Sequence, residues 1–344
     1  MKVSLPLDYS GNPVEAADLV VEREAAGLDR VWVAEPYGFD AVSLLGYLAA
    51  RTSRLELAAG ILNIYSRTPG ALLQTAAGLD SVSGGRAVLG LGASGPQVIE
   101  GFHGVAYDRP VARTREIVEI LRAGLRREAL VYDGIHQLPL PPGEGTGLGK
   151  PLKLLNRPVR ADLPIWLAAL GDRNVALAAE VADGWLPFLF HPEKSAELWG
   201  DALARGTAAR SPELPPLEIA AGGIVAIGDD VKHVLDRMRP LYALYVGGMG
   251  ARGRNFYFDL ACRYGFEAEA VEIQDLYLSG RPRDAEAKVP LAWLEAGNLV
   301  GPASYVRERV EAFRAAGVTD LQIAVGGPHA ARTVAAIKEW AGDD

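Results

Sequence analysis

The stretch Gly84 to Gly104, GGRAVLGLGASGPQVIEGFHG, decides how the chain is read. An apolar run of Ala87, Val88, Leu89 and Leu91 ends in a loop of Gly92, Ala93, Ser94, Gly95 and Pro96. A short polar–apolar segment carrying Gln97, Glu100 and His103 follows. A buried strand, a loop almost without side chains and then a helix let backbone N–H groups come close to an anionic or planar ligand. Gly90 to Gly95 also matches G-x-G-x-x-G. A dinucleotide fingerprint belongs after the first strand of its unit, with an acidic residue ending the next strand about 20 residues on. Here strand-like runs precede the motif and the residues near 113 fall inside a helical pattern, so the stretch reads as the fourth strand end of a longer repeat. Gly92-x-Ser94-x-Pro96 lacks the final glycine of a nucleophile elbow.

Upstream, Val3–Asp8 reads as a strand, and Asn12-Pro13-Val14-Glu15 starts a helix with a cap, a first-position proline and a capping-box glutamate. Val14, Ala17, Val21 and Ala25 recur at helical spacing before Gly27. Arg30–Glu35 is a second strand, Asp40–Ala50 a helix, Leu55–Ile61 a third strand, and Thr68-Pro69 opens a helix reaching about Val82. Downstream, Arg109–Glu128 is a long helix burying Ile117, Leu121 and Leu125. The strands resume at Pro164–Leu170, Gly184–Phe190, Leu217–Ile227 and Asp320–Val325, followed by helices over Asp172–Ala182, Pro192–Ala208, Asp229–Leu244 and Pro328–Trp340. Strand and crossover helix in alternation mean parallel pairing. Eight such units favour an α/β fold closed into a (β/α)8 TIM barrel over an open sheet. The expectation is a single domain over residues 1–344 with insertions at about 132–162 and 247–301. The second insertion reads as two further helices around Tyr264-Gly265. Insertions of this kind form lids or subunit contacts.

The 344 residues, 49% hydrophobic and 23% charged, suffice for a sizeable core. A formal charge of −8 speaks against nucleic acid or an anionic membrane as partner, so an anionic ligand must be held by local Arg or Lys and by helix ends. The one cysteine, Cys262, allows neither an internal disulfide nor a cysteine metal site, which fits a cytoplasmic protein. The opening MKVSLPLDYSGNP is too short and interrupted for a signal peptide, and no apolar run approaches the ~18 residues of a membrane span.

In a barrel the site lies at the C-terminal ends of the strands. Here these ends are rich in small residues, which suits a flat ligand approached by backbone better than a metal or a nucleophile triad. The five histidines, 103, 136, 191, 233 and 329, show no metal-ligand spacing. His103 and His191 stand out because one lies in the opening stretch and the other at a strand end. Ala169-Leu170-Gly171-Asp172-Arg173-Asn174 enters a helix whose first N–H groups would be free, either as a phosphate cradle with Arg173 as counter-charge or as an ordinary capped turn.

The set VWVAEPYG, AAGILNIYSRTP, GGRAVLGLGASGPQVIEGFHG and IWLAALGDRNVALAAEVADGW resembles the bacterial luciferase-like superfamily, in particular its branch of coenzyme F420-dependent oxidoreductases. The segment LYALYVGGMGARGRNFYFDLACRYGFEAEA is similar to that branch as well. The resemblance implies a deazaflavin in the barrel mouth, donating hydride from its C5 carbon to a small organic substrate or accepting it, with FMN as the alternative cofactor of a monooxygenase on the same barrel. A catalytically silent binding homologue is the alternative of another class. By position, Gly60-Ile61 corresponds to the bulge after the third strand, a non-prolyl cis peptide in relatives that backs the ring. Gly92, Ala93, Ser94, Gly95 and Gln97 correspond to the loop lining the ring and ribityl chain, and Ala169, Leu170, Gly171 and Asn174 to the segment holding phosphate and tail. Glu35 corresponds to the acidic position after the second strand, where relatives often carry Asp-His. Pro36 stands at the histidine position here, so no proton donor carries over from it. Candidates for that role are Glu35 first, then Tyr37, Tyr65, His103 and His191. A homo-oligomer, a dimer, is implied by the resemblance alone. The aromatic residues of the second insertion read as core or dimer packing in preference to pocket lining.

Overall fold

A computed structural model describes residues 1–327 and 329–342. Eight parallel strands form its centre: β1 (Lys2–Pro6), β2 (Arg30–Val33), β3 (Glu56–Ala59), β4 (Ala87–Gly92), β5 (Ile165–Ala168), β6 (Gly184–Leu186), β7 (Glu218–Ile227) and β8 (Asp320–Ala324). Each pairs with its sequence neighbour, and β8 pairs with β1 through Lys2 opposite Asp320, so the sheet closes. The expected (β/α)8 barrel is the observed fold. Local signals act as expected: Asn12 Oδ1 accepts the N–H of Val14 at 3.0 Å, its Nδ2 donates to Glu15 at 2.8 Å, and the helix Pro13–Ala25 follows. The final helix is described from Ala330; Pro328, expected at its start, lies outside the described residues.

Because side chains alternate along a strand, every second residue points into the barrel, and these inward positions change character from bottom to top. At the N-terminal end Arg30 is buried, with Nη1 2.6 Å from Asp320 Oδ2 and Nε 2.6 Å from Glu56 Oε2, and Lys2 Nζ is 3.0 Å from Glu56. Next come Trp32 and Trp166, edge to face at 5.1 Å, with the Arg30 guanidinium 4.6 Å from the Trp166 ring. Gly184 makes room for them, since a Cβ there would lie 2.1 Å from the Trp166 ring. Ala58, Val88, Leu186 and Ala220 complete that layer. Above it the inward positions shrink to Gly60, Gly90, Gly92 and Ala168. The lumen is therefore filled below and open above.

The two insertions lie in different loops of the barrel. Residues 132–162 connect the helix Pro110–Leu125 to the start of β5 and turn back along that helix. They form a hairpin of Tyr132–Asp133 with Gln137–Leu138, fastened to that helix by Glu116, which accepts the N–H groups of Ile135 and His136 at 2.9 Å. The second insertion follows the C-terminal end of β7 and roofs the mouth. The two helices expected around Tyr264-Gly265 are Phe256–Arg263 and Glu267–Leu278, and two short ones, Pro282–Ala287 and Leu291–Gly297, follow them.

One expected crossover was misplaced. Asp229–Leu244 is not the helix returning to β8; it breaks into a 3₁₀ turn (Lys232–Met238), a short α-helix (Arg239–Ala243) and a π-turn (Leu244–Gly248) within the roof. The return helix is Ala303–Ala315, reached through a short strand, Leu299–Gly301, that pairs with the last residues of β7. No helix among the described residues is long and apolar enough to cross a membrane.

Candidate active site

The floor of the mouth is made by the ends of β3 and β4. The Gly60-Ile61 peptide is cis, as the resemblance implied. Gly60 N donates to Val33 O at 2.8 Å, and Leu62–Asn63 beyond it rejoins the sheet against β4. A Cβ on Gly90 would stand 1.9 Å from the Ala59 carbonyl oxygen, and one on Gly92 would stand 2.9 Å from Ile61 Cδ1. Only glycine lets this bulge and β4 approach so closely. The loop beyond turns through Ser94 in the left-handed region (φ 56°) into the short helix Pro96–Gly101, and a Cβ on Gly95 would meet nothing within 4 Å. Gln97 lies in the first turn of that helix.

Glu35 is bound on both oxygens. Its Oε2 accepts from Arg67 Nη2 at 2.8 Å and from the N–H of Ala41 at 3.0 Å, and Oε1 faces Arg67 Nη1. The carboxylate thus joins the β2 loop, the β3 loop and the start of the helix Ala41–Arg51 through a two-pronged ion pair.

Tyr65 is committed too. Its hydroxyl donates to Asp108 O at 2.9 Å, and its ring packs 5.3 Å from Tyr107 and beneath the Arg113 guanidinium. Burial pushes its phenol up to about 12, so it remains protonated.

His103 behaves differently. Asn63, almost wholly buried, accepts the N–H groups of Tyr65 at 3.1 Å and Ser66 at 2.7 Å on Oδ1. Its Nδ2 is therefore the atom 3.2 Å from His103 Nε2, and it donates. The neutral imidazole carries its proton on Nδ1. The only sequence signal for Asn63 is a single amide in an apolar run. His191 is placed elsewhere: it precedes the helix Pro192–Ala209, within 3.1 Å of Glu193 and against Tyr264, and burial lowers its pKa.

At the end of β5 two indoles hold the backbone. Trp185 Nε1 donates to Ala169 O and Trp199 Nε1 to Leu170 O, each at 2.9 Å. Gly171 precedes the helix Asp172–Val181 without a side-chain cap, and a Cβ on it would meet nothing within 4 Å. Asn174 Oδ1 is buried without a partner among the described residues, while Arg173 is exposed. An orphaned polar atom beside uncapped helical N–H groups fits a phosphate-bearing ligand.

The roof closes the opposite side. Tyr242 and Tyr264 pack into the core around Trp293, as expected for that insertion. Tyr245 and Tyr257 pack against the edge of that core and join Phe188 of the β6 loop in an aromatic wall, with centroids of 4.6–5.9 Å. A cleft of about 420 Å³ runs between the roof residues Arg254, Asn255 and Phe256 and the β4-side residues Pro96, Glu100 and Tyr107.

The description luciferase-like monooxygenase covers a family model that matches residues 2–320. A protein of Mycobacterium tuberculosis, provisionally named a coenzyme F420-dependent oxidoreductase, is 41% identical over 98% of this chain and 99% of its own. The 5,10-methylenetetrahydromethanopterin reductase of Archaeoglobus fulgidus is 27% identical over 89% of this chain and 87% of its own. Among solved structures, the coenzyme F420-dependent tetrahydromethanopterin reductase of Methanopyrus kandleri superposes with a TM-score of 0.79 at 22% identity, over 98% of this chain and 96% of that one. A coenzyme F420-dependent secondary alcohol dehydrogenase, in complex with a coenzyme–acetone adduct, superposes with a TM-score of 0.74 at 17% identity over 99% of both chains. A cis Gly60-Ile61 bulge under a glycine-lined mouth, a closed eight-stranded barrel and a family match along nearly its whole length lead to one conclusion: the chain belongs to the luciferase-like monooxygenase family.

Proposed function

We propose that the protein is a coenzyme F420-dependent oxidoreductase of small organic substrates, working as one barrel domain whose second insertion shapes the substrate side. The observation that carries this reading is the layer of Gly60, Gly90, Gly92 and Ala168 above two tryptophans. With only the Ile61 side chain against Gly90 and Gly92, it offers a floor made largely of backbone to a flat tricyclic ring. Coenzyme F420 supplies hydride transfer when bound. Gly60, Ile61, Gly92, Ala93, Ser94, Gly95 and Gln97 would hold its ring and ribityl chain, and Ala169, Leu170, Gly171 and Asn174 its phosphate and tail.

The chain's own residues then have three tasks: orient, exclude water and handle a proton. We assign the proton to His103, whose Nδ1 carries it while Asn63 occupies Nε2. Glu35 and Tyr65, with their polar atoms engaged, act as positioning residues for the β2 and β4 loops. A dimer in the cytoplasm, with no nucleic acid or membrane as partner, completes the proposal.

Titration of the purified chain with coenzyme F420 and, separately, with FMN tests the cofactor. The expected result is tight deazaflavin binding and no oxygen consumption. Tight FMN binding with oxygen uptake and no affinity for the deazaflavin would overturn it. Light scattering checks the dimer.

A further inference from the structure

We propose that Phe188, Tyr245 and Tyr257 form a substrate subsite built for a neutral, planar ring compound carrying an uncharged carbonyl acceptor. This deepens the functional reading above and rests on it only for the second ligand, the coenzyme. The three rings come from the β6 loop, the π-turn and the first turn of the helix Phe256–Arg263, yet sit in mutual contact: Phe188 lies 4.6 Å from Tyr245 and 5.9 Å from Tyr257, and the two tyrosines lie 4.6 Å apart at 79°. Leu189, in the left-handed region at φ 53°, separates Phe188 from Phe190, which turns to the core and stacks on Trp199.

Asn255 holds the wall together. It is buried, and each of its hydrogen-bonding positions is used: Nδ2 donates to Tyr245 O at 3.0 Å and Val246 O at 2.8 Å, while Oδ1 accepts the N–H groups of Tyr257 at 2.9 Å and Phe258 at 3.2 Å. One side chain thus ties the π-turn bearing Tyr245 to the helix start bearing Tyr257. Such a turn inside a helical run is frequent at functional sites. It is possible here because Gly247 and Gly248 lie flat on Tyr277, where a Cβ on either would come within 2.5 Å.

The phenols themselves are uncommitted. Neither hydroxyl has a hydrogen-bond partner among the described residues, although burial raises both pKa values and keeps both protonated. A wall of apolar faces and protonated donors, with no charged group among its three members, matches an uncharged oxygen on a flat ring. Its three members offer neither a carboxylate nor an ammonium a charged partner of their own.

Isothermal titration of cyclohexenone, benzoate and benzylammonium into the full chain, with and without coenzyme F420, tests the proposal. Cyclohexenone should bind in preference to both ions. Tyr245→Phe and Tyr257→Phe, which keep the ring volume, should each weaken it about tenfold, the value of one hydrogen bond, without changing the coenzyme's affinity. Asn255→Ala should weaken cyclohexenone through both phenols at once. Tighter binding of either ion, no cyclohexenone binding, or indifference to both Tyr→Phe changes would overturn the subsite. If the chain takes no coenzyme F420, the functional reading fails, while the tyrosine dependence of cyclohexenone binding alone still decides the wall.

Discussion

Asn63 Nδ2 donates to His103 Nε2 across 3.2 Å, and the direction of that bond is fixed by the other end of the same amide, which accepts two backbone N–H groups. The pair is preorganised: its orienting partner is almost completely buried and has no other arrangement that satisfies Tyr65 and Ser66. In nitrogen NMR of the wild type, His103 should appear as the Nδ1-protonated tautomer. In Asn63→Ala both tautomers should be populated, with a stability loss of about 1–3 kcal/mol from the stranded N–H groups. An Nε2-protonated ring in the wild type would refute the assignment.

Proton handling by His103 rather than Glu35 predicts unequal effects. His103→Gln should lower kcat/KM by about a hundredfold or more, as loss of a general acid–base does. Glu35→Gln keeps an acceptor for the Ala41 N–H and should retain most of that rate while weakening the Arg67 clasp. If Glu35→Gln is the more damaging of the two, the roles are reversed.

Gly90 and Gly92 face different neighbours, so alanine at each should fail differently. At Gly90 the new methyl meets the Ala59 carbonyl, which is backbone and cannot move aside. A loss of about 3 kcal/mol, the upper end of overpacking penalties, should show as a lowered melting temperature. At Gly92 the obstacle is the far end of Ile61, which can swing. That variant should melt near the wild type but bind coenzyme F420 more weakly, because the displaced side chain occupies the floor.

Asn174 carries a buried oxygen with no partner among the described residues. If it serves the phosphate-bearing ligand, Asn174→Ala should weaken coenzyme F420 about tenfold. The ligand-free protein should melt no lower, and by the cost of an unpaired buried acceptor it should melt slightly higher. A lower ligand-free melting temperature would show Asn174 to be structural.

The acid limb of stability has an identifiable contributor. Burial alone would raise the pKa of Glu24, but the N–H groups of Leu55, Arg54 and Ser53 that it accepts outweigh this and hold it below the ordinary carboxylate value. A depressed folded-state pKa contributes stability that is present above the unfolded value of about 4.3 and is lost as the pH falls through the folded one. Glu24→Gln should therefore cost about 1–3 kcal/mol at neutral pH and lose less than the wild type on acidification. Denaturant unfolding at pH 7 and pH 3 checks both halves.

The barrel was legible because its strands are short apolar runs punctuated by caps such as Asn12 and Thr68, and each cap acts locally. The roof was less so. Val231, Val234, Leu235, Met238 and Leu241 recur as in an amphipathic helix, yet packing divides Val234, Leu235 and Met238 from Leu241 between a 3₁₀ turn and a short α-helix, a tertiary effect that periodicity does not carry. The return helix had a readable signal in Val306, Val310, Phe313 and the terminating Gly317, and it was masked by the earlier candidate. Of the site, the backbone-lined floor could be seen from glycine and alanine at strand ends. The pairings of Asn63 with His103 and of Asn255 with both tyrosine segments join residues whose partners depend on the closed fold.

The short strand Leu299–Gly301 runs beside Val225–Ile227 in parallel register, so the chain leaves the barrel and returns to it one strand spacing apart, about 4.8 Å. Everything between is a single cassette on a hoop whose eight strands pair without it, rooted in the core through Tyr242, Tyr264 and Trp293. Residues 228–298 could thus be exchanged for the corresponding piece of another barrel of this kind. Such an exchange would change which molecules are admitted while leaving the Arg30–Asp320 base and the glycine floor intact. Divergence of substrate range on this scaffold needs no change in the machinery that holds it shut.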